Sequence, residues 1–168
     1  MDYREQEMGQ RKPGPQEPQS SQLKKAKIKA LKLLERMDRT EAQLREKLLQ
    51  AEFEPELVEQ AIAYVKSFGY LDDERYVRNY IEYRKDQKSR RQLEQELQFR
   101  KGVSSELIRS VYEKLEPADE KLLIRRQLQK KHYDPENCDE KQRQKLIAFL
   151  ARKGFRTGDI LAVLRERE

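Results

Sequence analysis

The segment Phe68-Gly69-Tyr70-Leu71-Asp72-Asp73-Glu74-Arg75-Tyr76 holds a helix stop and a helix start within nine residues. Gly69 follows the apolar run that ends at Phe68 and suits the left-handed position just past a helix C-terminus. Tyr70 and Leu71 then fold back as apolar clasps. Asp72 or Asp73 can cap the next helix, with Glu74 adding negative charge at its positive end. Such a segment joins two helical units tightly, and the chain on either side of it repeats.

Upstream, Leu57, Val58, Ala61, Ile62, Val65 and Phe68 follow the i, i+3, i+4, i+7 spacing of a helix with one apolar stripe. Pro55 sits where a first helical residue tolerates it, and Phe53 seals the preceding turn. Thr40 and Gln43 are spaced as a capping box for a helix that buries Leu44, Leu48 and Leu49. A first helix is expected from Gln22 to Met37. Its apolar side is Leu23, Ala26, Ala30, Leu31, Leu34 and Met37, and its other side carries Lys24, Lys25, Lys27, Lys29, Lys32 and Arg36. Residues 1–21 are rich in Pro, Gln and Ser without apolar periodicity, and a disordered tail is expected there.

Downstream the cycle restarts. Tyr76, Val77, Tyr80 and Ile81 line a helix, Ser89 caps a second with Leu93 and Leu97 inward, and Lys101-Gly102-Val103-Ser104 closes it and caps a third. Glu116-Pro117 ends the unit, because the residue before Pro resists helix. A third cycle places one helix at Ala118–Lys131, a second after Asp139 and a last one after Lys153-Gly154-Phe155-Arg156-Thr157. Phe53, Val103 and Phe155 occupy equivalent places about 50 residues apart. The expected fold is all-α: an elongated tandem array of three three-helix repeats at 22–71, 72–116 and 117–168.

Composition agrees. Hydrophobic residues make up 36% of the 168 and charged residues 40%, which fits thin units that each bury one stripe rather than one spherical core. No apolar run approaches the ~20 residues that span a membrane, and the N-terminus lacks the apolar stretch of a signal peptide. Cys138 is the only cysteine, so no intrachain disulfide can form. A cytoplasmic, monomeric protein is expected.

The chemistry-bearing residues are sparse. His132 is the only histidine, and with one cysteine it cannot make a four-ligand zinc site; its place at a helix end suits capping. No catalytic constellation, cofactor loop or metal cluster is expected. Asp72-Asp73-Glu74 is read as a helix start, not a cation site. The net charge of +6 and the clusters Arg84, Lys85, Lys88, Arg90, Arg91, then Arg125, Arg126, Lys130, Lys131, then Arg152, Lys153 point to a basic stripe that engages phosphates or an acidic groove. Tyr64 and Tyr83 are candidates to stack on bases or anchor a partner.

Gly69-Tyr70-Leu71-Asp72-Asp73-Glu74-Arg75-Tyr76 resembles the G-Y-L-D-D-x-R-F/Y signature of the RecX family of regulators of the RecA recombinase. Thr40-Glu41-Ala42-Gln43-Leu44, Arg90-Arg91-Gln92-Leu93 with Lys101-Gly102-Val103, and Phe149-Leu150-Ala151-Arg152-Lys153-Gly154-Phe155 are similar to its three repeats. The spacing from Leu97 to Val103 is one residue longer than the family pattern. The resemblance implies a non-enzymatic protein without cofactor. Such a protein binds the RecA–DNA nucleoprotein filament along its groove and inhibits its ATPase, strand-exchange and coprotease activities. The alternative is a stand-alone basic helical array that binds single- or double-stranded DNA directly.

Overall fold

A computed structural model describes residues 18–166. Most of the expected tail, residues 1–17, lies outside them. Nine helices follow in order among the described residues: α1 Gln19–Arg36, α2 Glu41–Gln50, α3 Pro55–Ser67, α4 Asp73–Arg84, α5 Arg90–Gln95, α6 Ser105–Lys114, α7 Glu120–Lys130, α8 Glu140–Arg152 and α9 Thr157–Arg165. A π-helical turn, Glu96–Arg100, continues α5. It supplies the extra residue between Leu97 and Val103. The Val103 N–H reaches six residues back to Leu97, whereas Phe53 and Phe155 at the equivalent turns reach five back, to Leu48 and Leu150.

Two helix starts differ from the sequence reading by more than one residue. Helix α1 begins three residues earlier, at Gln19, because the Pro18 carbonyl accepts from the Ser21 and Gln22 N–H groups and starts the first turn. Helix α7 begins at Glu120 rather than Ala118, because the Asp119 carboxylate accepts from the Leu122 N–H and caps it.

The three repeats keep three separate cores. Ala26, Ala30, Leu44, Leu48, Val58, Ala61, Ile62, Val65 and Leu71 form the first. Val77, Ile81, Leu93, Leu97, Val103, Ile108 and Val111 build the second around Tyr80. Leu123, Ile124, Leu128, Leu150, Phe155, Ile160, Val163 and Leu164 form the third. Cores of this size stabilise a helical unit weakly by themselves, so contacts between neighbours matter, as in other repeat arrays.

The segment between the first two units ends α3 in a Schellman motif. The Gly69 N–H bonds to Lys66 and the Tyr70 N–H to Val65, with φ +74° at Gly69. Asp72 caps α4 through the Arg75 N–H, and the Arg75 guanidinium returns to the Gly69 and Tyr70 carbonyls. Leu71 is the buried clasp. Tyr70 is 54% exposed and Phe68 60% exposed, so neither is the core or clasp residue the periodicity predicts. Phe68 is the last residue before the left-handed turn, where the stripe rotates off the core. Leu49 and Met37, near the ends of their helices, are also exposed. His132 occupies the left-handed turn after α7, at φ +54°, with its N–H on the Gln129 carbonyl.

Neighbouring units are locked by the same device twice. The fully buried Thr40 hydroxyl caps α2 by accepting from Gln43, and it donates 2.6 Å to the Lys101 carbonyl of the second unit. The buried Ser89 hydroxyl caps α5 by accepting from Gln92, and it donates 2.6 Å to the Lys153 carbonyl of the third. Beside each bridge, the first N–H of the capped helix meets a carboxylate at the start of the next unit: Glu41 on Asp73 at 2.8 Å, and Arg90 on Glu120 at 2.9 Å. The turns that receive these bridges carry left-handed glycines, Gly102 and Gly154.

Candidate functional site

The basic clusters sit on α4, α5, α7 and α8, and the structure sorts their members by what each cation already holds. On α4 the Arg84 guanidinium lies 3.9 Å from the Tyr80 ring centre, and Lys85, the residue after that helix, pairs with Glu82 at 2.7 Å. Lys88 reaches Glu96 at 2.6 Å, and the Tyr80 hydroxyl donates to the same carboxylate at 2.7 Å. Burial pushes the Glu96 carboxyl up, but these two hydrogen bonds outweigh it and hold it below the usual carboxylate range. Burial first, and the bond to Glu96 second, raise the Tyr80 phenol to about 12. This polar knot keeps Glu96 charged inside the second unit.

Arg90 stacks 4.3 Å over the Tyr112 ring and pairs with Glu94 at 2.7 Å. Arg125 holds Glu166 through two bonds, 2.9 and 2.8 Å, and Arg126 lies 3.4 Å from Asp86 of the second unit. Lys131 and Lys153 converge on the Phe149 ring, at 4.6 and 5.1 Å. Arg91, Lys130 and Arg152 are exposed and have no ion-pair partner among the described residues. Of the expected stripe, these three cations are thus the most available to a partner, whereas Lys131 and Lys153 lie over the Phe149 ring.

A groove of about 570 Å³ runs between the second and third units. Lys85, Arg91 and Arg156 line it, but so do Glu82, Glu116 and Asp159, and the mixed charge does not make it an anion pocket. The buried Tyr112 hydroxyl on its wall has no hydrogen-bond partner among the described residues. Burial drives its phenol well above the ordinary value.

Sequence reasoning named Tyr64 but missed that Phe68 and Tyr70 join it in a second surface, on the first unit. The Tyr64 and Phe68 rings meet edge to face at 5.1 Å, and Phe68 and Tyr70 stack at 6.1 Å with planes 27° apart. Lys27 of α1 lies 4.5 Å over Tyr64. The signal was present in the i, i+4 spacing of Tyr64 and Phe68 beside the lysine-rich helix. It was masked because Phe68 also fits the apolar stripe. Tyr83, the other stacking candidate, stands alone and is 80% exposed.

No group of three or more His, Cys, Asp or Glu side chains is placed to hold a metal among the described residues. No helix there is long and apolar enough to cross a membrane. Asp72, Asp73 and Glu74 serve structure: a cap, an inter-unit acceptor, and ion pairs to Arg78 and Lys114.

Comparison with known proteins matches each unit to its own family model. Residues 26–64 match the first three-helix domain of RecX, 72–111 the second and 119–164 the third. A regulatory protein RecX of Trichlorobacter lovleyi is 37% identical over 154 residues, covering 88% of this chain and 98% of the relative. One of Clostridium perfringens is 32% identical over 134 residues, and there the match spans 63% of the relative's length against 78% of this chain. Among solved structures, a crystal structure of regulatory protein RecX superposes with a TM-score of 0.74 at 22% identity, covering 88% of this chain and 73% of that one. That of RecX from Lactobacillus salivarius gives 0.72 at 16%, covering 87% and 96%. With three domain models matched in order and a relative matched over nearly its whole length, this chain belongs to the RecX family.

Proposed function

We propose that this chain binds the RecA–DNA nucleoprotein filament and inhibits its ATPase, recombinase and coprotease activities, acting in the cytoplasm by binding rather than by catalysis and without a cofactor. The observation that carries this reading is the ordered match of all three units to the RecX domains of regulatory proteins. The architecture supports it. Repeats at 22–71, 72–116 and 117–168, joined by buried hydroxyl bridges, present their contacts in a fixed register. Weak contacts of linked modules then combine through effective concentration. Arg91, Lys130 and Arg152 supply cations for an acidic or phosphate-lined groove.

A monomeric state is part of this reading, and the hydroxyl-to-carbonyl junction used between the units has no counterpart at Asp139 or at the Glu52 turn. Asp139 stands where Thr40 and Ser89 stand and caps α8 by accepting from Gln142, but a carboxylate has no proton to donate to a further carbonyl. Glu52 occupies the left-handed turn equivalent to Gly102 and Gly154, so a side chain fills the space those glycines leave open.

Titrating the protein into RecA, single-stranded DNA and ATP tests the reading. ATP hydrolysis should fall at amounts well below one molecule per RecA subunit, and an unchanged rate at equimolar protein would refute it. A second reading, a stand-alone array on bare DNA, is favoured by the six cations and single acid of α1. It predicts affinity that drops steeply with salt.

A further inference from the structure

We infer that the first unit carries a binding site for unpaired bases of single-stranded nucleic acid, built from Tyr64, Phe68 and Tyr70 and flanked by Lys24 and Lys27. This goes beyond filament binding and shares with the bare-DNA reading only the need for direct contact with nucleic acid.

Three observations point to it. First, two large rings lie open at one spot. Phe68 and Tyr70 are 60% and 54% exposed although each follows directly from a well-formed helix end, and the segment's buried clasp is Leu71 instead. Packing therefore does not require their rings. Second, the rings are already arranged for stacking. Phe68 and Tyr70 lie with planes 27° apart, and Tyr64 braces Phe68 from its edge at 5.1 Å. Arg75, bonded to the Gly69 and Tyr70 carbonyls, fixes the backbone that carries Tyr70. A rigid aromatic platform loses little side-chain freedom when a base stacks on it, and every base offers a π face.

Third, the charge beside the platform is complementary to a phosphate backbone. Lys27 sits over Tyr64, and Lys24 lies one turn earlier on the same face of α1. Farther along α1, Lys29, Lys32 and Arg36 are exposed, and with Lys24 they have no ion-pair partner among the described residues. In the second and third units Lys85, Lys88, Arg90, Arg125 and Arg126 are instead spent on Glu82, Glu96, Glu94, Glu166 and Asp86. Open rings next to open lysines fit an unstacked strand. Duplex DNA hides its base faces and would use only the lysines. An apolar protein helix would use the rings but leave the lysine row without a counter-charge.

The test uses the full chain, a labelled oligothymidylate, and an abasic oligonucleotide of equal length that keeps the phosphates and lacks the bases, compared by fluorescence anisotropy at one salt concentration. The oligothymidylate should bind more tightly. The Phe68→Ala/Tyr70→Ala variant should lose about tenfold or more of that affinity while binding the abasic strand as before. Phe68→Trp should retain it. Lys24→Gln/Lys27→Gln should weaken both strands. Circular dichroism and the thermal midpoint should show the ring variant folded, since Leu71 and the Gly69 turn are untouched. Equal binding of the two oligonucleotides would overturn the site, as would a folded ring variant that binds oligothymidylate like the unsubstituted chain. Binding of neither strand would overturn both this inference and the single-stranded form of the bare-DNA reading. Loss of filament binding alone in the ring variant, with oligothymidylate affinity intact, would assign the rings to a protein partner and overturn the proposal.

Discussion

The Thr40 hydroxyl donates a 2.6 Å hydrogen bond to the carbonyl of Lys101, 61 residues further along the chain. The same hydroxyl accepts the Gln43 N–H, so a single buried oxygen both starts a helix and fastens the next unit. Ser89 repeats the arrangement on Lys153. Thr40→Val keeps the shape and removes the hydrogen bonds, stranding a buried carbonyl and a helix N–H. It should lower stability by roughly 2 kcal/mol, whereas Thr40→Ser should stay near the original. Urea unfolding of the two variants checks this. A Val variant as stable as the Ser variant would remove the bridge from the account of how units are joined.

Gly69 and Gly102 share a left-handed backbone but not the same surroundings. A Cβ at Gly69 would meet nothing within 4 Å, while one at Gly102 would lie 2.6 Å from the Ala42 Cβ across the unit junction. Gly69→Ala should therefore cost only the backbone term, about 1 kcal/mol. Gly102→Ala should cost at least about twice that, because two backbone-anchored carbons must move apart. Denaturant midpoints measured side by side decide it, and equal costs would mean that the junction is soft.

The cations of the basic clusters should separate by role. Arg91→Glu/Arg152→Glu reverses two exposed cations and should weaken filament affinity on the order of tenfold, with no change in the unfolding midpoint. Arg90→Glu removes a stacked cation from Tyr112 and places an acid beside Glu94 and Glu120. It should lower stability by roughly 1 kcal/mol. If instead Arg91→Glu/Arg152→Glu leaves filament affinity unchanged, the contact lies on another face.

The Tyr80–Glu96–Lys88 knot gives stability two pH limbs. Glu96 has its folded value depressed, so its contribution is present above the ordinary carboxylate range and is lost as pH falls through the folded value. Tyr80 has its phenol raised from 10.0 to about 12, so the unfolded chain loses its proton first, and stability declines as pH rises between those values. Tyr80→Phe should flatten part of the alkaline decline, and Glu96→Gln part of the acid one. Unfolding midpoints across pH measure both, and unchanged slopes in either variant would exclude that group.

Much of this molecule is written locally. The capping boxes at Thr40 and Asp139, the caps at Asp72, Ser89 and Ser104 and the glycine turn at Gly69 all depend on residues within a few positions of one another, and the recurrence of Phe53, Val103 and Phe155 marks where that local pattern repeats. Helical period and end chemistry act over that range, so sequence alone determined the all-α class, the three-unit order and the family signature. Tertiary structure decided what those units do with their leftover groups. It made the Thr40 and Ser89 caps into junctions, paired Lys85, Lys88, Arg90, Arg125 and Arg126 of the basic stripe with acids, and turned Phe68 and Tyr70 outward beside Tyr64, over which Lys27 lies. Those outcomes depend on where separate helices come to lie, and neither residue spacing nor composition carries that distance.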